Sequence, residues 1–181
     1  MNESILIIGG MGVGKSTISK LIADKLNIPY RSMDAYRCDY VKDFREYDFE
    51  TQLELRKRYG FKREKDYLKP WIDKAFNDFL DKFDEPCVID AGGLNTYEIS
   101  DELLEKIKNI KNIVLLKNDN IDEILARRYV DKKSDLGEIY INTNNNPVNY
   151  ELAKIVMDVH GDKEEIADEI ISKIHTKKTL I

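Results

Sequence analysis

Gly9-Gly10-Met11-Gly12-Val13-Gly14-Lys15-Ser16 is the stretch that decides the fold. It fills the pattern G-x-x-x-x-G-K-[ST], the phosphate-binding loop. A polyphosphate needs many donors aimed at one small volume. Glycines let the backbone wrap closely enough for successive N–H groups to supply them. The helix that follows adds its positive end. Lys15 has the reach for the β- and γ-phosphates of a nucleotide, and the Ser16 hydroxyl is suited to Mg²⁺. The bland alternative, a glycine turn with a chance lysine, has to explain both neighbours as well. The run before it, Ser4 to Ile8, is short and apolar and reads as a strand buried on both faces. After it, Ile18, Leu21, Ile22 and Leu26 repeat at helical spacing from Lys15 onward.

Working outward, that first helix stops near Asn27, before Pro29. Pro29 to Met33 reads as a second strand leading to Asp34. From Ala35 to Phe83 the pattern is helical, with a break at Gly60 and with Pro70 near a helix start. Strand-like runs follow at Cys87–Asp90, Asn112–Leu116 and Lys154–Val159, with helical patterns at about 97–109 and 121–132. A last helix starts near Asp162 or Lys163 and carries Ile166, Ile170, Ile171 and Ile174 inward. Asn142 to Asn149 reads as a loop, and Thr176 to Ile181 as a frayed tail. Strands alternating with helices imply an α/β fold with a parallel sheet.

The chain of 181 residues fits a single domain, 1–181. It is 35% charged with a net charge of -5, which argues against general nucleic-acid binding. Its two cysteines, Cys38 and Cys87, match neither a metal spacing nor a disulfide framework, as in a reducing cytoplasm. No run approaches the roughly 20 apolar residues of a membrane span, and no leader pattern is seen. The expectation is a cytoplasmic protein without membrane contact.

Two acids stand where parallel strands should end, on the side where such sheets bind ligands. Asp34 follows the second strand and Asp90 ends the Cys87–Asp90 run. Either suits a γ-phosphate site, as a base toward an acceptor or as support for magnesium. The competing readings are a helix N-cap for Asp34 and a turn residue for Asp90. Arg56, Lys57, Arg58, Lys62, Arg63 and Lys65 form a basic cluster, read either as an anionic-acceptor site or as a solvated helix face. Trp71, Phe76 and Phe79 line a pocket or fill the core.

The loop Gly10-Met11-Gly12-Val13-Gly14-Lys15-Ser16-Thr17 resembles that of the shikimate kinase family, within the nucleoside-monophosphate-kinase-like P-loop kinases. The resemblance continues at Tyr30-Arg31-Ser32-Met33-Asp34, Ala91-Gly92-Gly93 and Leu125-Ala126-Arg127-Arg128, and more weakly from Tyr150 through Val159. It implies a three-layer P-loop NTPase fold: a five-stranded parallel sheet flanked by helices, an acceptor-binding helical region at about 35–84 and a lid at about 129–140. It implies ATP and Mg²⁺, with Gly10, Met11, Gly12, Val13, Gly14, Lys15, Ser16 and Thr17 around the phosphates. Arg127 would lie against the adenine, and His160-Gly161-Asp162 would flank the base. Lys15, Asp34, Arg127 and Arg128 would be catalytic. Ser16, Asp34 and Asp90 would serve the metal, and Asp34, Lys69, Gly92 and Gly93 would meet the acceptor.

The chain departs from the family where the acceptor is held. Ser32 replaces the first aspartate of a paired motif, and Ala91 the first of three glycines. Three acceptor or lid arginines fall near Lys69, Ser134 and Tyr150. Lysine and tyrosine cannot copy the two-pronged fork with which arginine holds a carboxylate. The phosphate cradle matches and the acceptor site does not, which argues against shikimate itself. The function implied is transfer of the γ-phosphate of MgATP to a hydroxyl or phosphate of a small, possibly anionic molecule. The alternatives are a nucleotide-binding module without turnover and a nucleic-acid end kinase.

Overall fold

A computed structural model describes residues 3–41, 49–82, 85–92 and 99–179. Among the described residues five strands make one parallel sheet: β1 (Ile5–Gly9), β2 (Tyr30–Ser32), β3 (Val88–Asp90), β4 (Asn112–Lys117) and β5 (Ile155–Asp158). Their order is β2-β3-β1-β4-β5. β1 is therefore central, with Ile5 beside Val88 on one side and Asn112 on the other.

The apolar run of β1 is buried on both faces, and alternation divides it between two cores. Ile5 and Ile7 join Ile18 and Ile22 of α1 (Lys15–Leu26) and Ile166 and Ile170 of α8 (Lys163–Thr179). Leu6 and Ile8 turn the other way. They meet Phe76 and Phe79 of α3 (Phe49–Lys82) and Leu103 and Ile107 of α4 (Asp101–Lys108). Each such side chain contributes roughly 1.5–3 kcal/mol by leaving water. Helices on both faces of a parallel sheet make this a three-layer α/β P-loop NTPase fold. Trp71, Phe76 and Phe79 are buried and belong to the core reading.

Several boundaries differ from the sequence expectation. β2 ends at Ser32, and Met33 already opens α2 (Met33–Val41). The Ser32 hydroxyl accepts from the Ala35 N–H, so Ser32 caps this turn and Asp34 lies in it. α3 does break at Gly60, whose φ of 78° and ψ of 179° are not helical. Pro70 stands inside the second half of α3 rather than at a helix start. α5 (Ile121–Arg127) stops well before residue 132. Its end is closed by Tyr129 N–H to Ala126 O and Val130 N–H to Leu125 O, with Tyr129 left-handed at φ 53°. This is the paired closure that usually places glycine where Tyr129 stands.

The segment read as a loop, Asn142 to Asn149, is largely helical. α6 (Asp135–Asn144) runs into it and α7 (Pro147–Leu152) starts within it. Asn146 caps α7 by accepting from the Val148 N–H, and Pro147 takes the first turn. The tail is helical as far as Thr179. β5 alternates between buried and exposed residues, as fits a strand at the sheet edge with one face covered.

Candidate functional site

The loop from Gly9 to Lys15 leaves the carboxyl end of the central strand and enters α1. Gly12 has a φ of 81°, and a Cβ there would stand 2.6 Å from Ile124 Cγ2. Glycine is required at that position on both counts. The Gly14 carbonyl accepts from the Thr17 and Ile18 N–H groups, which starts the helix.

Lys15 is 8% exposed, and its ammonium donates to the carbonyls of Gly9 at 3.1 Å and Gly10 at 2.9 Å. An ammonium carries three protons, so one remains for a phosphate oxygen. Burial lowers the Lys15 pKa, and the charges of Asp90 and Asp34 pull it back up. Asp90, at the end of β3, is 1% exposed and fully engaged. Its Oδ2 accepts from Ser16 Oγ at 2.6 Å and from Tyr30 Oη at 3.3 Å; its Oδ1 accepts from the Gly92 N–H at 2.9 Å. Burial, then the charge of Asp90, raises the Tyr30 pKa and keeps the phenol a donor. Asp90 thus stabilises the turn at Gly92 and also contacts the phosphate loop through Ser16. Gly92 has a φ of 58°, and a Cβ there would overlap the Asp34 carboxyl group. Lys15, Ser16, Asp34, Asp90 and Gly92 thus converge at the carboxyl edge of β1 and β3, the position where open α/β sheets take ligands.

Residues 5–168 match the AAA domain family. The chain belongs to that family. The shikimate kinase of Alteromonas mediterranea is 25% identical over 95% of this chain and 96% of its own length. A shikimate kinase from Acinetobacter baumannii, solved in complex with shikimate, superposes with a TM-score of 0.70 at 17% identity, covering 97% of this chain and 94% of that one. A gluconokinase from Sinorhizobium meliloti superposes at 0.65 with 20% identity, covering 97% and 93%. The resemblance to shikimate-kinase-like P-loop kinases is shown by these likenesses.

In this AAA-domain chain the basic candidates outside the loop make other contacts. Among the described residues no hydrogen bond or ion pair joins Lys69, Arg127 or Arg128 to the cluster at the sheet edge. Arg127 is exposed and pairs with Glu123 one helical turn earlier, at 3.6 Å. Arg128 and Lys69 are exposed. Ser134, near the expected lid arginine, caps α6 by accepting from the Gly137 N–H. In the basic cluster Arg58 pairs with Glu54 at 2.6 Å, as on a solvated helix face, whereas Arg56 pairs with the buried Glu64 at 3.5 Å. Gly93 lies outside the described residues, as do the side chains of Lys62, Arg63 and Lys65.

Mg²⁺ prefers hard oxygen ligands and takes few of them from the protein when a nucleotide supplies the rest. The paired Ser16 hydroxyl and Asp90 carboxylate fit that demand. Among the described residues no group of three His, Cys, Asp or Glu side chains is placed to cage a metal alone. No helix among them is long and apolar enough to cross a membrane.

The structure adds residues that the sequence did not single out. Tyr30 reaches Asp90, and Tyr140 of α6 packs 3.2 Å from the Cβ position of Gly12. Thr143 and Asn144, also of α6, touch Met11. In sequence Tyr30 stood in a strand and at the start of the stretch ending at Asp34, with no partner assigned to it. No spacing rule links α6 to a loop more than a hundred residues earlier.

Proposed function

We propose that this protein is an ATP-dependent phosphotransferase that moves the γ-phosphate of MgATP to a small-molecule acceptor. The observation that carries the reading is the convergence of Lys15, the Ser16–Asp90 pair and Asp34 at one sheet edge. The loop from Gly10 to Thr17 holds the phosphates. Ser16 and Asp90 would hold the magnesium ion, which would supply charge to shield the phosphate oxygens. Lys15 places its charge where negative charge gathers on the moving phosphoryl group. Asp34 accepts the proton of the acceptor hydroxyl as its oxygen bonds to the γ-phosphorus. The bond to the β–γ bridging oxygen breaks, and ADP leaves with that electron pair. Positioning and fixed charge supply most of the acceleration in such transfers.

Residues of α2 and α3, the region about 35–84, cover the acceptor in this reading, with Lys69, Gly92 and Gly93 toward it. Residues 129–140 form the lid, and Arg127 and Arg128 serve the nucleotide. The relatives named shikimate kinase and gluconokinase favour a small acceptor over a nucleic-acid end. Lys69, Ser134 and Tyr150, where arginines are expected, weigh against shikimate itself.

The test is ATP consumption against a panel of small hydroxylated and phosphorylated acceptors, run with the parent protein and with Lys15→Ala. The parent should turn over with at least one acceptor. The variant should lose on the order of a thousandfold or more, several kcal/mol of transition-state stabilisation, while still folding. Near-parent turnover in Lys15→Ala would defeat the assignment. Saturable MgATP binding with no acceptor-dependent consumption would favour a binding module instead.

A further inference from the structure

We propose that Thr143 is a positioning residue for Lys15, and that it acts through a single peptide plane of the phosphate loop. The inference rests on the kinase reading and extends it past the lid to the last turn of α6, which that reading does not use.

Two neighbouring residues of α6 hold both backbone polar groups of Met11. Thr143 Oγ1 accepts from the Met11 N–H at 3.4 Å, and Asn144 Nδ2 donates to the Met11 carbonyl at 3.4 Å. Both side chains are anchored on their own helix. The Thr143 hydroxyl donates to Ile139 O at 2.9 Å, and Asn144 Nδ2 donates to Tyr140 O at 2.8 Å. With its proton spent on the helix, the Thr143 oxygen presents lone pairs to the loop. The fit is close, since a Cβ on Gly10 would overlap the Asn144 amide.

Peptide planarity makes these contacts consequential. In a trans peptide the N–H and the preceding C=O share a plane and point in opposite directions. No peptide bond among the described residues is cis. The Met11 N–H directed at Thr143 therefore turns the Gly10 C=O away from α6. That carbonyl is the one that accepts from Lys15 Nζ at 2.9 Å. Thr143, the Gly10–Met11 peptide and Lys15 form one continuous relay. By the same geometry, the Met11 carbonyl held by Asn144 turns the Gly12 N–H away from α6. α6 thus sets the facing of two successive loop peptides, and the first of them seats the catalytic ammonium.

The experiment compares Thr143→Val, which keeps the volume and loses the hydroxyl, with Thr143→Ser, which keeps the hydroxyl. Two readouts are taken: MgATP affinity by titration calorimetry, and the acetylation rate of Lys15 by an amine-reactive reagent, followed by peptide mass mapping. Thr143→Val should weaken MgATP binding by about 3- to 10-fold, the net worth of one hydrogen bond, and raise Lys15 labelling by a similar factor. Thr143→Ser should stay within about twofold of the parent on both, because the bond is kept. A Thr143→Val protein with parent-like labelling and affinity would overturn the proposal. So would a serine variant that behaves like the valine one, since packing would then be the cause. If the parent binds no MgATP, the kinase reading falls, and the labelling comparison still decides whether Thr143 reaches Lys15.

Discussion

Gly92→Ala tests whether the backbone after β3 sets the place of Asp34. Two costs are superimposed at that position. The first is conformational, because a φ of 58° is left-handed and disfavours any residue with a Cβ. That cost is about 1–2 kcal/mol, reduced by about 0.4–1 kcal/mol because alanine leaves the unfolded chain less free. The second is steric. The new methyl would stand 2.5 and 2.6 Å from the two carboxylate oxygens of Asp34, where carbon–oxygen contacts ordinarily begin near about 3.3 Å. Asp34 would have to withdraw by roughly the difference, and about 1 Å of misplacement can remove about a hundredfold in rate. The measurement is a double-mutant cycle with Asp34→Ala, read by denaturant unfolding. The MgATP affinity and turnover of the single variant are followed in parallel, with whichever panel acceptor supports reaction. Gly92→Ala should cost more stability when Asp34 is present than when it is alanine, where only the backbone cost of about 1 kcal/mol remains. Turnover should fall toward a hundredfold while MgATP affinity holds. Equal stability costs in both backgrounds, with turnover unchanged, would refute the coupling between Gly92 and Asp34.

Two further predictions follow from local geometry and charge. Tyr129 is 98% exposed and left-handed at φ 53°, so Tyr129→Gly removes strain and no packing; the melting temperature should rise by roughly 2–4 °C, and an unchanged or lower value would count against the strain. Burial lowers the Lys15 pKa, so between its folded value and the unfolded value of about 10.4 the unfolded chain binds more protons, and the contribution of Lys15 to stability rises with pH across that window. MgATP affinity should fall over the same window as the ammonium is lost; calorimetry in alkaline buffers should show this limb below the ordinary lysine range in the parent and not in Lys15→Ala.

The sequence revealed the centre of the fold because its signals there are local and agree. An apolar run, a glycine-rich loop and an amphipathic helix all point to β1, the phosphate loop and α1. Asp90 was placed correctly beside the loop because it ends a parallel strand next to the one that feeds Ser16. Asp34 could not be resolved from sequence, since an acid before a helix suits a cap as well as a site. Only coordinates show Ser32 serving that turn and the Asp34 carboxyl lying over Gly92. The region from Asn142 to Asn149 was misread for a physical reason: asparagine serves turns and helix ends alike. Here Asn144 ends α6, Asn145 is its C-cap and Asn146 caps α7. The end of α5 was missed because its stop signal is usually glycine, and the chain puts Tyr129 there. The contacts of Thr143 and Asn144 with Met11 arise from tertiary docking, which no local pattern encodes.

The break at Gly60 divides α3 into arms of different worth to the molecule. The second arm supplies Leu68, Trp71, Ala75, Phe76, Phe79 and Leu80 to the interior, so it tolerates little change. From Glu50 to Tyr59 the first arm contributes no fully buried residue. Apart from Gln52 and Arg56, which partner the buried Glu64, substitutions there stay near the small cost of ordinary surface changes. Sequence change is therefore cheap along most of that arm and costly along the second, although one helix carries both.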